Sequence, residues 1–325
     1  MAATMKQGSL KSDAILLVTA LIWGFAFVAQ RAGMVYVEPF TFNGVRFALG
    51  SLSLVPLLVV QRSKSNRSGN AQPKANNRTA LMGGVLAGSV LFVAASLQQI
   101  GLVYTTAGKA GFITGLYVVI VPLLGLFLKH RPSVATWIGA VLAAIGLYFL
   151  SVTELFTIDP GDFLEILGAF FWAAHVLIIG SFSPRIAAVQ LAFMQFAICS
   201  LLSLAAAALT ETIVLSKIVE AAIPIIYGGF FSVGVAYTLQ VVGQKGAQAA
   251  HAAIILSLET VFAALGGWLI LSETLSTRGL IGCALMFAAM LLSQIPMERA
   301  DLVIKAKWLT ARQNAVRDPG RAPSK

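Results

Sequence analysis

Charged residues are scarce in this chain of 325 residues: Asp, Glu, Lys and Arg together make up 11% of it, while hydrophobic residues make up 58%. Soluble domains carry about 25% charged residues, so the composition excludes an ordinary soluble domain and indicates a polytopic membrane protein. The net charge of +10 does not indicate nucleic-acid binding. The basic residues lie in polar segments between apolar runs and form no stripe with interleaved aromatic residues.

Catalytic and cofactor-binding patterns are also missing. The chain has two cysteines and three histidines, and their scattered positions provide no metal-ligand spacing. It contains no HExxH, GxSxG, P-loop or GxGxxG motif, and no apolar run holds a pair of aspartates. The sequence therefore predicts no enzyme, no metal and no cofactor. Without a nucleotide-binding motif, ATP-driven pumping by this chain alone is excluded.

Long apolar runs dominate instead. A transmembrane helix needs about 20 mostly apolar residues, and ten runs of suitable length follow one another with mostly short connections. They are residues 14–32, 39–60, 80–103, 107–128, 133–152, 164–182, 189–210, 221–243, 247–271 and 277–296. We therefore predict an all-α integral membrane protein with ten transmembrane helices. Residues 1–13 precede the first run, which no cleavage signal follows, and residues 297–325 form a basic tail.

The basic residues indicate the direction of the predicted helices. If the N-terminus is cytoplasmic, 18 of the 23 Lys and Arg residues lie in cytoplasmic segments and four lie outside. Lys and Arg collect on the cytoplasmic side of membrane proteins. We therefore expect both termini in the cytoplasm, with the acidic segment "SVTELFTIDPGDFLE" facing outside.

The two halves of the chain resemble each other. "RFALGSLSL" at 46–54 matches "QFAICSLLSL" at 195–204 at an offset of 149 residues, which Trp23 and Trp172 share. "LQQIG" at 97–101 matches "LQVVG" at 239–243 at an offset of 142. Because each half holds five predicted spans, the second half must enter the membrane in the opposite sense. Residues 14–152 and 164–296 are therefore predicted to form inverted repeats, with a solute site near the midplane between them.

Four segments resemble the EamA family of the drug/metabolite transporter superfamily. They are "ALIWGFAFVAQRAG", "PFTFNGVRFALG", "TGLYVVIVPLLGLFLKHRPS" and "LETVFAALGGWLILSETLSTRGLIGCALM". The resemblance covers about residues 14–296. It implies a carrier of the bacterial inner membrane that exports amino acids, their derivatives, other metabolites or toxic compounds.

Two positions depart from the family pattern. The acidic residue that the family often carries after the fourth span is His130 here, although Glu273 keeps its counterpart in the second half. The frequent "EP" of the ninth span is Glu259-Thr260. Without that proline, we expect a straighter ninth helix.

Two charges lie deep within predicted spans, away from the span ends, where a charge costs at least about 2.5–3.5 kcal/mol. Arg46 lies in the second span and Glu259 in the ninth, and their counterparts in the other half, Gln195 and Leu116, are uncharged. Arg46 can bind a solute carboxylate through its planar guanidinium. Glu259 can bind a solute amine or carry a coupling proton. The alternative is that the two side chains neutralise each other, or that Arg46 binds backbone carbonyls, and so fix helix packing.

Other side chains within the spans complete the candidate site. His175 is a candidate proton relay or a buried hydrogen-bonding histidine, and His251 is a weaker candidate near the cytoplasmic end of the ninth span. Aromatic residues can line a path for an amphipathic solute or only fill space. Polar amides can bind the solute or join helices. The aromatic candidates are Trp23, Trp172 and Tyr104, and the amide candidates are Asn43, Gln98 and Gln240.

Together, the repeat, the intramembrane charges and the resemblance favour a secondary carrier that exports a small organic metabolite, such as an amino acid. Its partners would be that solute, the lipid bilayer and a coupling ion such as a proton, with no nucleic acid. A carrier of nucleotide-sugars or phosphorylated solutes is an alternative, which would need several cations where we count one. A membrane enzyme would need clustered carboxylates or histidines at the interface. A subunit that does not transport would have no use for the costly buried charges.

Overall fold

A computed structural model describes residues 2–67, 77–105, 107–129, 132–151, 160–271 and 276–293. Every regular element in these ranges is a helix. His130, Glu273 and the basic tail 297–325 lie outside the described residues.

The helices follow one another in chain order with short turns between most of them. They are α1 (Ala2–Gly33), α2 (Pro39–Arg67), α3 (Asn77–Tyr104), α4 (Ala107–Gly115), α5 (Tyr117–Phe127), α6 (Val134–Ser151), α7 (Pro160–Phe182), α8 (Ala188–Thr210), α9 (Leu215–Glu220), α10 (Ala222–Ile226), a π-helix (Tyr227–Tyr237), α11 (Thr238–Gly243), α12 (Ala249–Leu256), α13 (Glu259–Leu271) and α14 (Thr277–Ser293).

Within the described ranges, eight helical stretches are long and apolar enough to cross a membrane, and the apolar helices at Val134–Phe149 and Thr277–Leu292 are shorter. Large apolar side chains cover the outside of the bundle: Phe127 is 85% exposed and Leu209 is 86% exposed. Lipid tails suit such a surface, whereas water does not. The all-helical architecture therefore fits a membrane protein.

Two stretches are interrupted at matching places. Leu116 forms the turn between α4 and α5, and the Ser257 and Leu258 turn separates α12 from α13. The expectation of a straighter ninth helix is therefore wrong. The physical reason is local hydrogen bonding: the Ser257 hydroxyl donates to the Ile254 carbonyl (2.8 Å) and the Thr260 hydroxyl donates to the Ser257 carbonyl (2.7 Å). These bonds compete with the regular helical pattern.

Packing brings the two halves together. In the described structure α2 packs on α8 and α6 packs on α14, while α1 packs on α13 and α7 packs on α4 and α5. Glycines let α2 approach the π-helix closely, since a Cβ atom on Gly50 would lie 2.2 Å from Cγ1 of Val233 and 2.9 Å from the Gly229 carbonyl oxygen. π-helical geometry is rare in proteins, and where it occurs it is often near a functional site.

Candidate functional site

A small cavity lies where the two halves meet. Its volume is about 30 Å³. One water molecule needs about 10–15 Å³ by this measure, and small-molecule sites usually hold about 300–1,000 Å³. The cavity therefore admits only a few waters in this conformation. Its lining residues are Trp23, Ala26, Phe27, Gln30, Arg46, Gln98, Thr114, Tyr117, Trp172, Val176, Ser232, Tyr237, Gln240, Leu256 and Glu259.

Arg46 brings the positive charge into this cavity. The side chain is only 2% exposed, and its Nε donates to Asn43 Oδ1 at 3.0 Å. Asn43 in turn donates to the Ala95 carbonyl of α3 at 3.0 Å. The guanidinium carbon lies 5.4 Å from the Phe42 ring centre and 5.0 Å from that of Phe47, within cation–π range. The Arg46 guanidinium is therefore held at its Nε edge.

The other edge of the Arg46 guanidinium is available to a solute. Within the described ranges, the two terminal nitrogens form no hydrogen bond, and no ion pair within 4.0 Å joins Arg46 to Glu259. The expected alternative in which these two charges neutralise each other by direct contact is therefore not present in this conformation. A planar carboxylate matches the free guanidinium edge.

Glu259 brings a carboxyl group into the same cavity. It is the first residue of α13, where the amide groups of the helix start favour negative charge, and it is 4% exposed. The Tyr117 side chain, at the start of α5, lies beside Glu259, although its hydroxyl has no hydrogen bond of normal geometry among the described residues. Both interrupted stretches thus direct the start of a helix at the cavity.

Several buried polar atoms of the cavity wall lack partners among the described residues. The unpartnered atoms are Trp172 Nε1, the Tyr117 hydroxyl and both amide atoms of Gln240. Buried polar groups are hydrogen-bonded in the great majority of cases, and exceptions need an explanation. A polar ligand or water in the cavity would supply the missing bonds.

The opposite wall is already hydrogen-bonded. Gln98 Nε2 donates to Gln30 Oε1 at 3.1 Å, and Trp23 Nε1 donates to the Ser232 carbonyl at 3.3 Å. The Trp23 and Tyr237 rings lie 4.5 Å apart between centres. These contacts make a rigid aromatic and amide surface.

The structure thus brings six of the eight predicted solute-binding residues to the cavity, and it positions the other two elsewhere. The six that line the cavity are Arg46, Glu259, Trp23, Trp172, Gln98 and Gln240. Asn43 is completely buried behind Arg46 and supports its Nε. Tyr104 is 62% exposed and lines a separate cavity of about 380 Å³ at one end of the bundle.

The two histidine candidates also lie outside the lining. His175 is fully buried, and its Nε2 lies 2.8 Å from Gln195 Oε1. Its ring centre is 6.1 Å from that of Trp172, so it lies behind the cavity wall. His251 Nε2 lies 2.9 Å from Asp13 Oδ1, which links α12 to α1. Among the described residues, no group of three or more His, Cys, Asp or Glu side chains could share a metal ion.

Sequence reasoning missed five polar lining residues: Gln30, Thr114, Tyr117, Ser232 and Tyr237. Gln30 is a polar side chain at the end of the first predicted span, which was a usable signal. The two tyrosines are ordinary residues for an apolar run, and no signal in the sequence separates them from packing residues.

Comparison with known proteins gives the family. The model of the EamA-like transporter family matches residues 10–152 and, a second time, residues 159–294. The chain belongs to the EamA-like transporter family. The resemblance found in the sequence is confirmed, and so is the prediction of a membrane transporter.

Relatives of this EamA-like protein span most of its length. An uncharacterized transporter of Archaeoglobus fulgidus is 32% identical over 291 residues, which cover 87% of this chain and 85% of the relative. The uncharacterized transporter YoaV of Bacillus subtilis is 21% identical over 290 residues, covering 87% and 97%. A protein of known crystal structure superimposes with a TM-score of 0.69 at 19% identity, covering 87% of this chain and 96% of its own. That likeness supports the fold alone.

Proposed function

We propose that this EamA-like protein is a secondary transporter that exports a small organic metabolite with a carboxylate group, such as an amino acid or a related compound. The observation that carries the proposal is the buried guanidinium of Arg46, which lines the central cavity with no carboxylate partner among the described residues. A buried charge without a partner is costly in a membrane protein and marks a functional site. A solute carboxylate would supply the partner.

Glu259 takes the second role in this proposal. It lines the same cavity as Arg46 without pairing with it, so it can bind the amine of an amino acid or carry a coupling proton. His175 remains a proton-carrying candidate, but it contacts Gln195 behind the wall. The position of Glu259 on the lining favours it over His175.

The proposed mechanism is alternating access between two ends of the bundle. The central cavity holds only about 30 Å³, while a cavity of about 300 Å³ lies among the ends of α5, α7 and α12, and one of about 380 Å³ lies among the ends of α1, α2 and α3. Because successive predicted spans cross the membrane in opposite directions, these two cavities lie at opposite faces. In this conformation the central cavity is much smaller than either end cavity.

Ten spans in two inverted repeats are part of the proposal. Its support is threefold: the family model matches each half separately, both halves contain an interrupted helix, and two equivalent pairs, Trp23 with Trp172 and Gln98 with Gln240, line the cavity. The distribution of Lys and Arg supports cytoplasmic termini, and the resemblance to the family implies the bacterial inner membrane. A reporter enzyme that works only in the cytoplasm should be active when it is fused to either end of the chain.

A carrier of nucleotide-sugars or phosphorylated solutes is the weaker candidate. Phosphate groups recruit several cations, and Arg46 is the one Lys or Arg residue among the described cavity-lining side chains. A membrane subunit without transport would not need a polar cavity at its centre.

The proposal is tested by measuring the metabolites that bacterial cells release. Cells would express the wild type, Glu259→Gln, Arg46→Gln or, as a matched control, Arg185→Gln, which removes an exposed charge in a turn outside the cavity. We expect a carboxylate-bearing compound to accumulate outside cells with the wild type and the control, at several times the level found with the two cavity variants. Equal release by all four proteins and by empty cells, at matched membrane levels, would refute export.

A further inference from the structure

A second buried carboxyl group lies on the outer side of the cavity. Glu165 has 0% exposure and Asp162 has 2%, and both lie within the first two turns of α7. The sequence placed both residues in an acidic loop that faces outside. The structure buries both side chains between helices, one helical turn apart on the same face of α7.

Only one of the two carboxyl oxygens of Glu165 has a hydrogen-bond partner among the described residues. Its Oε2 accepts a hydrogen bond from the Thr114 hydroxyl of α4 at 3.2 Å. Its Oε1 is buried and has no partner among the described residues. Asp162 Oδ1, by contrast, accepts a hydrogen bond from the Thr105 hydroxyl at 3.0 Å. A carboxylate usually requires several donors or a cation when it is buried, so the single bond to Glu165 leaves a position open.

Glycine makes the space for this carboxyl group. A Cβ atom on Gly101 of α3 would lie 2.7 Å from Glu165 Oε1, and one on Gly161 would lie 2.8 Å from the Gly101 carbonyl oxygen. Both distances are shorter than real Cβ contacts. The carboxyl group is therefore seated against the α3 backbone, in a position that any larger residue would obstruct.

Charged partners for Glu165 are few on the neighbouring helices. In the described part of the chain it forms no ion pair within 4.0 Å. Asp162 shares its helix and adds like charge. The helices that pack against α7 carry five titratable or charged residues: Arg78 and Tyr104 on α3, Lys109 on α4, Tyr117 on α5 and His251 on α12. The side chain of Lys109 is not among those described. Arg78 and His251 belong to the opposite end of the bundle, and Tyr117 adjoins Glu259.

Thr114 connects this carboxyl group to the central site. The same residue that donates to Glu165 lines the cavity that holds Arg46 and Glu259. On the other side, Asp162 lies nearer the outer end of α7. Thr105, Asp162, Glu165 and Thr114 thus form a line of polar groups from the outer face to the cavity.

We propose that Glu165 is a proton-binding site that links the outer face of this protein to its central cavity. Oε1 takes up one proton, which neutralises the carboxylate, and releases it as the group becomes charged again. Thr114 is the positioning residue that joins the site to the cavity. A metal cation fits less well, because the described contacts supply one hydroxyl where hard cations need about six oxygens. The transport role of the site rests on the proposed function, but proton binding by itself does not.

Infrared spectroscopy of the purified protein in lipid nanodiscs tests proton binding without any solute. The measurement follows the carbonyl stretch of protonated carboxyl groups while the pH is changed, in the wild type, in Glu165→Gln and in Glu220→Gln. Gln matches Glu in size, and Glu220 is an exposed residue near the same end. We expect one carboxylic-acid band of the wild type and the Glu220 variant to be missing in Glu165→Gln.

A second variant makes the test independent of whether Glu165→Gln folds. Thr114→Val keeps the shape but removes the hydroxyl that binds Glu165 Oε2, so the same band should move to higher frequency as the carboxyl group loses a hydrogen bond. If the wild type shows no band that either variant removes or moves, at any pH at which it stays folded, the proposal is wrong. A band without any exported metabolite would count against the proposed function instead, and export without the band would count against this inference alone.

Discussion

Arg46 offers the sharpest test of the candidate site, because binding and structural roles predict different results. In Arg46→Gln, a solute carboxylate would lose two charge-assisted hydrogen bonds from the free guanidinium edge. Each such bond contributes about 1.5–3 kcal/mol, so the loss is at least about 3 kcal/mol, or more than about 100-fold in Kd. Arg46→Lys keeps the charge but not the planar pair of N–H donors. It should lose one hydrogen bond to the carboxylate, which weakens binding by about 10- to 100-fold in Kd.

Stability should change much less than binding. Arg46→Gln removes the hydrogen bond to Asn43 and the contacts with two phenylalanine rings, which together contribute about 2–5 kcal/mol. It also removes a buried charge that costs about 2.5–3.5 kcal/mol in a membrane. These contributions nearly cancel, so we expect the free energy of unfolding to change by no more than about 2 kcal/mol.

The assay measures both quantities on the same purified protein. Thermal unfolding in detergent reports stability, and the rise in Tm produced by individual L-amino acids reports binding, since a ligand stabilises the folded state it binds. The released metabolite, once identified, replaces the amino-acid panel. If Arg46→Gln unfolds far below the wild type, or if Arg46→Lys and Arg46→Gln bind the solute as well as the wild type does, the reasoning about Arg46 is refuted.

Three further predictions concern packing and the outer face. Gly50→Ala should lower Tm by several degrees, because the new methyl group would overlap Val233 at a cost of about 1–3 kcal/mol. Gly111→Ala is the matched control, since its new methyl group would have an ordinary nearest contact of 3.6 Å. Equal Tm values for the two variants would contradict the packing argument. Glu211→Gln should cost about 1–2 kcal/mol in thermal unfolding, since its carboxylate accepts two backbone amides at the start of α2 at 2.7 Å, and an unchanged Tm would count against that capping role. Tyr104→Phe should leave metabolite release unchanged, because that side chain is 62% exposed away from the cavity; a loss of release would mean that Tyr104 belongs to the path.

Much of the fold was predictable because it depends on local properties of the chain. Helix length and low charge mark each apolar stretch independently of its neighbours. The interruption before Glu259 was not predicted, because it depends on hydroxyl hydrogen bonds from Ser257 and Thr260 instead of on the proline that the family often has. The sequence assigned the acidic segment to the outside, and it did not predict that Asp162 and Glu165 are buried between helices.

The candidate site was predictable in part. Arg46 and Glu259 were identifiable because a charge within an apolar run is rare and costly, and repeat spacing singled out Trp23 and Trp172. Tyr104 could not be separated from them in the sequence, since all three are aromatic residues of apolar runs. Only helix rotation decides which aromatic rings face inward.

The sequence by itself determined that this protein is an α-helical membrane protein of the EamA-like family. The length of the apolar runs, their low charge and the order of the motifs are local properties of the chain. The tertiary structure decided that Arg46 and Glu259 line one cavity without pairing, that Asn43 holds Arg46 from behind, and that Glu165 is buried beside Thr114. These relations join residues far apart in the chain. They depend on how each helix is rotated and packed against its neighbours, which no local pattern encodes.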